Sequence, residues 1–131
     1  MNKILGIDFG EKKIGIATSD ESGALAFPRG IFANDELLDA RIGEIIEREE
    51  IGEIVLGEAL DFNNRRNPVM ENIEKFKARL EKTFSLPVIF EQEYLTSSEA
   101  RRWGPKDKPI DDSSAALILQ RYLDKKKYKN K

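Results

Sequence analysis

Residues 4–17 read ILGIDFGEKKIGIA, and the reading of this stretch decides the fold. Ile4, Leu5 and Ile7 form a short apolar run that ends on one carboxylate, Asp8. Gly10 and the charged trio Glu11-Lys12-Lys13 come next, followed by a second apolar run, Ile14–Ala17. Two apolar runs joined by a glycine-containing polar turn predict strand, tight turn, strand, with an acid held at the end of the first strand. Glycine at position 10 suits a turn that lies against a ligand. A plain surface hairpin has the same spacing, so Asp8 gains chemical meaning only if other parts of the chain bring partners to it.

Working outward, strand one is expected over about 3–8 and strand two over about 13–19. Asp20-Glu21-Ser22-Gly23 is a turn signal, and a third strand should follow over about 24–31, with Pro28 suiting a sheet edge. Asn34 reads as the N-cap of a helix whose apolar positions Leu38, Ile42, Ile45 and Ile46 recur at helical spacing, with Gly52 as its stop. Glu53–Gly57 (EIVLG) has the continuous apolar character of a covered central strand. Asn67-Pro68 is a helix start, and Val69, Ile73, Phe76 and Leu80 give that helix one apolar stripe ending near Phe84. Leu86–Phe90 (LPVIF) is the next strand, with Glu91-Gln92-Glu93 at its end. Thr96-Ser97-Ser98-Glu99 fits a capping box for a short helix, and a last helix should begin near Asp111. The order β-β-β-α-β-α-β-α-α predicts a single α/β domain: a five-stranded mixed sheet covered by helices on both faces. Residues 125–131 are expected to be a frayed basic tail.

Composition removes whole classes of chemistry. The 131 residues include no cysteine and no histidine, which excludes disulfides, thiol nucleophiles, zinc-finger ligation and histidine acid–base catalysis. Hydrolysis would have to run on carboxylates, hydroxyls, lysines or a hard metal. No window approaches a membrane span and no signal-peptide core opens the chain, so a cytoplasmic location is expected. The net charge of -2 hides a polarity. Residues 35–53 hold eight acids against two arginines, whereas residues 121–131 hold six basic residues against Asp124. A polyanion is thus expected to meet one side only.

Three carboxylates occupy comparable positions: Asp8 ends the first strand, Glu93 follows the last, and Asp111 opens the final helix. With the strands in the order 3-2-1-4-5, their carboxyl ends converge, which is where ligands of such sheets bind. Like charges held together need a cation between them, and an all-oxygen donor set favours Mg²⁺ or Mn²⁺. Asp111 also fits an N-cap, with Asp112 competing for it. Glu91, two residues from Glu93, shares its face in a strand, so spacing alone leaves the choice between them open.

Four segments carry a family resemblance: GIDFGEKKIGIATSD at Gly6–Asp20, IVLG at Ile54–Gly57, LPVIFEQEYLTSSEA at Leu86–Ala100 and IDDSSAALILQRYLD at Ile110–Asp124. In this order and spacing the chain resembles the small bacterial family of pre-16S ribosomal RNA nuclease candidates, also called Holliday-junction-resolvase-like, which has a ribonuclease-H-like fold. The resemblance implies catalytic acids at Asp8, Glu93 and Asp111, selecting Glu93 over Glu91, with Mg²⁺ or Mn²⁺ as cofactor. It implies a metal-dependent nuclease acting on the 5′ region of precursor 16S ribosomal RNA, in contact with structured RNA or ribosomal particles, as monomer or weak homodimer. Branched-DNA cleavage and a non-catalytic RNA- or ribosome-binding role are the alternatives. The nucleotide-binding fold of sugar kinases and actin also opens with Asp-x-Gly, but uses two such domains.

Two departures from the family pattern stand out. Tyr94 occupies the place of an arginine, and Glu58 replaces an apolar residue after Gly57, where it is a candidate further metal ligand or a source of repulsion. Lys12, Lys13, Arg65, Arg66, Thr96 and Ser97 are the candidate substrate contacts, the last two through the amides of a helix N-terminus. Trp103 is a candidate stacking group or a core residue.

Overall fold

The computed structural model describes residues 3–60, 70–94 and 113–129, with the side chains at 59, 60, 93, 94, 128 and 129 excepted. Five strands, β1 (Lys3–Asp8), β2 (Lys13–Ser19), β3 (Ala26–Ala33), β4 (Ile51–Leu60) and β5 (Val88–Tyr94), form one sheet in the order β3-β2-β1-β4-β5. β1 pairs antiparallel with β2 and parallel with β4, β2 pairs antiparallel with β3, and β4 pairs parallel with β5. Helices α1 (Leu38–Arg48) and α2 (Met70–Phe84) cover one face, and α3 (Ser114–Lys129) covers the other.

Strand alternation sorts the sequence between two cores. Leu5, Ile7, Ile14, Ile16, Ile54 and Leu56 point toward α1 and α2, meeting Ile42, Ile45, Ile73, Phe76 and Leu80. Ile4, Ala17 and Val55 point the other way, onto Ala115, Ile118, Leu119 and Leu123 of α3. α3 lies unusually close to β1. A Cβ added at Gly6 would stand 2.7 Å from Leu119 Cβ and 3.1 Å from the Ala115 carbonyl oxygen, so only glycine admits the helix at this height.

Several boundaries differ from the sequence reading, each for a local reason. Asn34 does not cap α1. Its backbone N–H donates to the Lys12 carbonyl (2.9 Å) and its Nδ2 to the Gly10 carbonyl (2.9 Å), so it clamps the β1–β2 turn. Asp35 instead accepts from Leu37 N at 3.0 Å, and α1 starts at Leu38. The helix stops at Arg48 because Glu50 adopts φ 54°, and Gly52 lies inside β4. β3 runs later than expected because Asp20 holds the preceding turn, accepting from Ala24 N at 2.8 Å and Leu25 N at 3.2 Å. β5 also runs later, starting at Val88, because the Pro87 carbonyl accepts from Ile54 N and begins the β4 pairing; Glu93 therefore falls within the strand rather than after it. The expected basic tail is helix as far as Lys129, anchored by Lys125 to Glu91 (2.6 Å) and by Lys126 to Glu53 (3.5 Å). The short helix expected after Thr96 lies outside the described residues. No described helix is long and apolar enough to cross a membrane.

Candidate active site

The site is built from the carboxyl end of β1. Ile4 and Gly6 face α3, so Asp8, two residues further along the pleat, faces the same way, and it is 5% exposed. In register, Asp8 stands opposite Gly15 of β2. On its other side Ile7 pairs with Leu56, which brings Gly57 level with Asp8, and Gly57 pairs with Glu91 of β5. The row across the sheet thus reads Gly15, Asp8, Gly57, Glu91. Both neighbours of Asp8 lack a side chain. Glu91 stands two strand spacings away, roughly 10 Å, and the interval between the two acids is floored by Gly57 backbone.

Glu91 is already engaged. It is 4% exposed, and Lys125 Nζ donates to its Oε2 at 2.6 Å. Beside this pair, Tyr122 donates its hydroxyl to Glu53 Oε2 at 3.1 Å, and Arg121 donates to the Gln92 carbonyl at 3.1 Å. Burial, reinforced by the Glu53 and Glu91 carboxylates, pushes the Tyr122 phenol up to about 12. α3 therefore fastens residues 91 and 92 of β5 and neutralises Glu91. Position 93 is paired with Ala59, two residues further along β5 than Glu91.

The remaining predicted residues distribute as follows. Lys12 and Lys13 are exposed at the β1–β2 turn, next to Asp8 in sequence and beyond the end of its strand. Glu58 has the parity of Ile54 and Leu56, so it lies on the α1–α2 side of the sheet, opposite to Asp8. Asp111, Arg65, Arg66, Thr96, Ser97 and Trp103 lie outside the described residues. Among the described residues no three acids cluster as a metal site. The sequence reading missed the Asn34 clamp and the Lys125–Glu91 pair. The period-two spacing of Glu91 and Glu93 was the signal that one of the two would need a structural partner.

The family described as "RuvX: Holliday junction resolvase" matches residues 2–125. The chain belongs to the RuvX family. Its similar relatives are named "Putative pre-16S rRNA nuclease". The one from Oenococcus oeni is 36% identical, covering 95% of each chain. That of Thermoanaerobacter pseudethanolicus is 34% identical over 97% of this chain and 99% of its own, and that of Streptococcus uberis is 32% identical over 94% and 98%. Among solved structures, Thermus thermophilus RuvC in complex with a Holliday junction substrate superposes with a TM-score of 0.58 at 13% identity, covering 97% of this chain and 96% of that one. At that identity the likeness speaks for the shared fold, the ribonuclease-H-like arrangement of the RuvX chain.

Proposed function

We propose that this RuvX-family chain is a divalent-metal-dependent nuclease that hydrolyses phosphodiester bonds in the 5′-end processing of precursor 16S ribosomal RNA. The observation that carries the reading is the row Gly15, Asp8, Gly57, Glu91: a buried carboxylate at a strand end, with bare backbone on both sides and the next acid in the row already neutralised by Lys125. This row suits a hard cation. Its donors are oxygens, its two glycines leave room beside Asp8, and a buried aspartate in a low-dielectric setting gains most from a neighbouring positive charge.

Asp8, Glu93 and Asp111 would hold Mg²⁺ or Mn²⁺. When bound, the cation supplies the charge that makes water nucleophilic near neutral pH and stabilises the oxygen that leaves phosphorus. The chain's own part is positional. β1 fixes Asp8 between two glycines, α3 fixes β5 through Arg121 and Lys125, and the clamped β1–β2 turn presents Lys12 and Lys13 to the substrate backbone. Arg65, Arg66, Thr96 and Ser97 complete the proposed substrate contacts.

The relatives' name favours precursor ribosomal RNA, and the family's name favours branched DNA. A direct test offers both to purified protein with Mn²⁺: an RNA carrying the 5′ precursor extension, and a four-way DNA junction. Cleavage of the RNA in preference to the junction, abolished by Asp8→Asn, is the expected result. Failure to cut either, or an Asp8→Asn protein as active as the unsubstituted one, would reject a nuclease with this site.

A further inference from the structure

A second opening lies at the same end of the sheet but on the α1–α2 face. It is a cleft of about 570 Å³ between the β1–β2 turn and α2, bounded by Phe9, Glu11, Asn34, Asn72, Lys75 and Arg79. Phe9 directly follows Asp8, and the two side chains leave opposite faces of one strand end. The cleft therefore adjoins the candidate active site around the rim of the sheet.

Its chemistry is planar more than ionic. The Phe9 ring lies 5.2 Å from the buried Phe76 ring, tilted by 46°, and the Arg79 guanidinium lies 5.0 Å from the Phe76 ring centre, so three flat groups pack together with the partly buried Phe9 at their edge. Asn34 is held by its two N–H bonds to the β1–β2 turn, neither of which uses its amide oxygen. Asn72 is exposed on α2. Among the described residues the charges around the cleft largely cancel. Arg79 is bonded to Asp39 at 3.1 Å, Lys75 stands 3.8 Å from Glu71, and Glu11 adds a further carboxylate. A site that gripped phosphate first would carry net positive charge. A ledge for stacking, flanked by two amides that present donor and acceptor edges, matches a nucleobase.

We infer that this cleft receives one unpaired nucleobase of the substrate strand, close to the scissile phosphate, stacked on Phe9 with its edge read by Asn72 and Asn34. The inference rests on the nuclease reading above and adds to it a specificity site for single-stranded flank. A base still stacked in a duplex cannot enter, so the cleft favours substrates whose strand is unpaired beside the cut. The loosely paired Lys75 is free to turn toward the phosphate of the same nucleotide.

The test uses the full chain carrying Asp8→Asn, so that binding is read without cleavage. A 2-aminopurine, a fluorescent adenine analogue, is moved one position at a time along a single-stranded flank, in RNA and in DNA arms. Quenching confined to one position, relieved by Phe9→Leu, with affinity for that strand lowered about 5–100-fold by Asn72→Ala, is the expected result. Cleavage by the Asp8 protein should then depend on the base at that position, and Asn72→Ala should flatten the preference. Cleavage that is indifferent to every flanking base and to Asn72→Ala would overturn the cleft inference and leave the nuclease reading standing. Absence of binding and cleavage for all RNA and DNA arms would overturn both. Quenching in the DNA arm alone would retain the cleft as a base site and move the substrate class to DNA.

Discussion

Gly6→Ala is the substitution that most sharply separates packing from propensity. Alanine outranks glycine in a strand, and by backbone entropy alone the change should stabilise by about 0.5–1 kcal/mol. The geometry says otherwise. The new methyl would lie 2.7 Å from Leu119 Cβ and 3.1 Å from the Ala115 carbonyl oxygen, and its position is fixed by β1 backbone buried between β2 and β4. Ordinary carbon contacts need about 3.5–4.0 Å, so α3 has to rise by roughly 1 Å over β1. Overpacking of this kind costs about 1–3 kcal/mol, leaving a net loss of about 1–2 kcal/mol and a fall in Tm of about 3–10 °C for a chain of this length. Urea denaturation followed by circular dichroism measures it. Gly6→Val provides the control: valine has the higher strand propensity, so a propensity account predicts recovery, whereas the steric account predicts a larger loss. A Gly6→Ala protein as stable as the unsubstituted chain, or a Gly6→Val protein more stable than Gly6→Ala, would refute the close-approach argument.

Further predictions concern the α3 side of the sheet. Lys125→Met leaves the buried Glu91 carboxylate without its closest cation and should destabilise by about 3 kcal/mol, most of it recovered in Lys125→Met/Glu91→Gln; a chemical melt of the three proteins checks this. Tyr122 has its phenol pushed up to about 12 from 10.0, so the stability linked to its proton is fully present below pH 10 and is lost as pH rises toward 12. Tyr122→Phe should therefore lose less stability than the unsubstituted chain between those values in a pH series of thermal melts. Gln120→Ala removes the bonds to Ala26 N and the Ala24 carbonyl, both 2.9 Å, and should cost about 1–2 kcal/mol, with faster amide exchange at the start of β3 as the local signature.

What the sequence disclosed depended on how local the cause was. The strand–turn–strand at residues 4–17 and the helical stripes Leu38/Ile42/Ile45/Ile46 and Ile73/Phe76/Leu80 were legible because periodicity is written in neighbouring residues. The sheet order 3-2-1-4-5, expected together with the family resemblance, is observed. The ends of elements were harder to read, because long-range bonds set them. Asn34 looks like a helix cap until the β1–β2 turn is in place to receive its N–H groups, and Gly52 looks like a helix stop although Glu50 takes the left-handed conformation. The lysines after residue 124 read as a solvated tail, and only the crossing of α3 over β4 and β5 shows Glu53 and Glu91 waiting for them. At the site, Asp8 was legible as a strand-end acid. The bare row around it was not, because Gly57 and Glu91 are distant in sequence and come level with Asp8 only through strand register. Glu58 illustrates the converse: close to the site along the chain, it is set on the far side of the sheet by one step of the pleat.

The proposed nuclease needs one cation shared by Asp8, Glu93 and Asp111. Anomalous scattering from a crystal soaked in Mn²⁺ measures this directly. The expected result is a peak about 2.1 Å from a carboxylate oxygen of Asp8, within reach of Glu93 and Asp111, with Glu58 outside its coordination and Glu91 still bonded to Lys125. A saturated crystal with no peak at Asp8, or with the ion held by Glu58 or Glu91 instead, would contradict it.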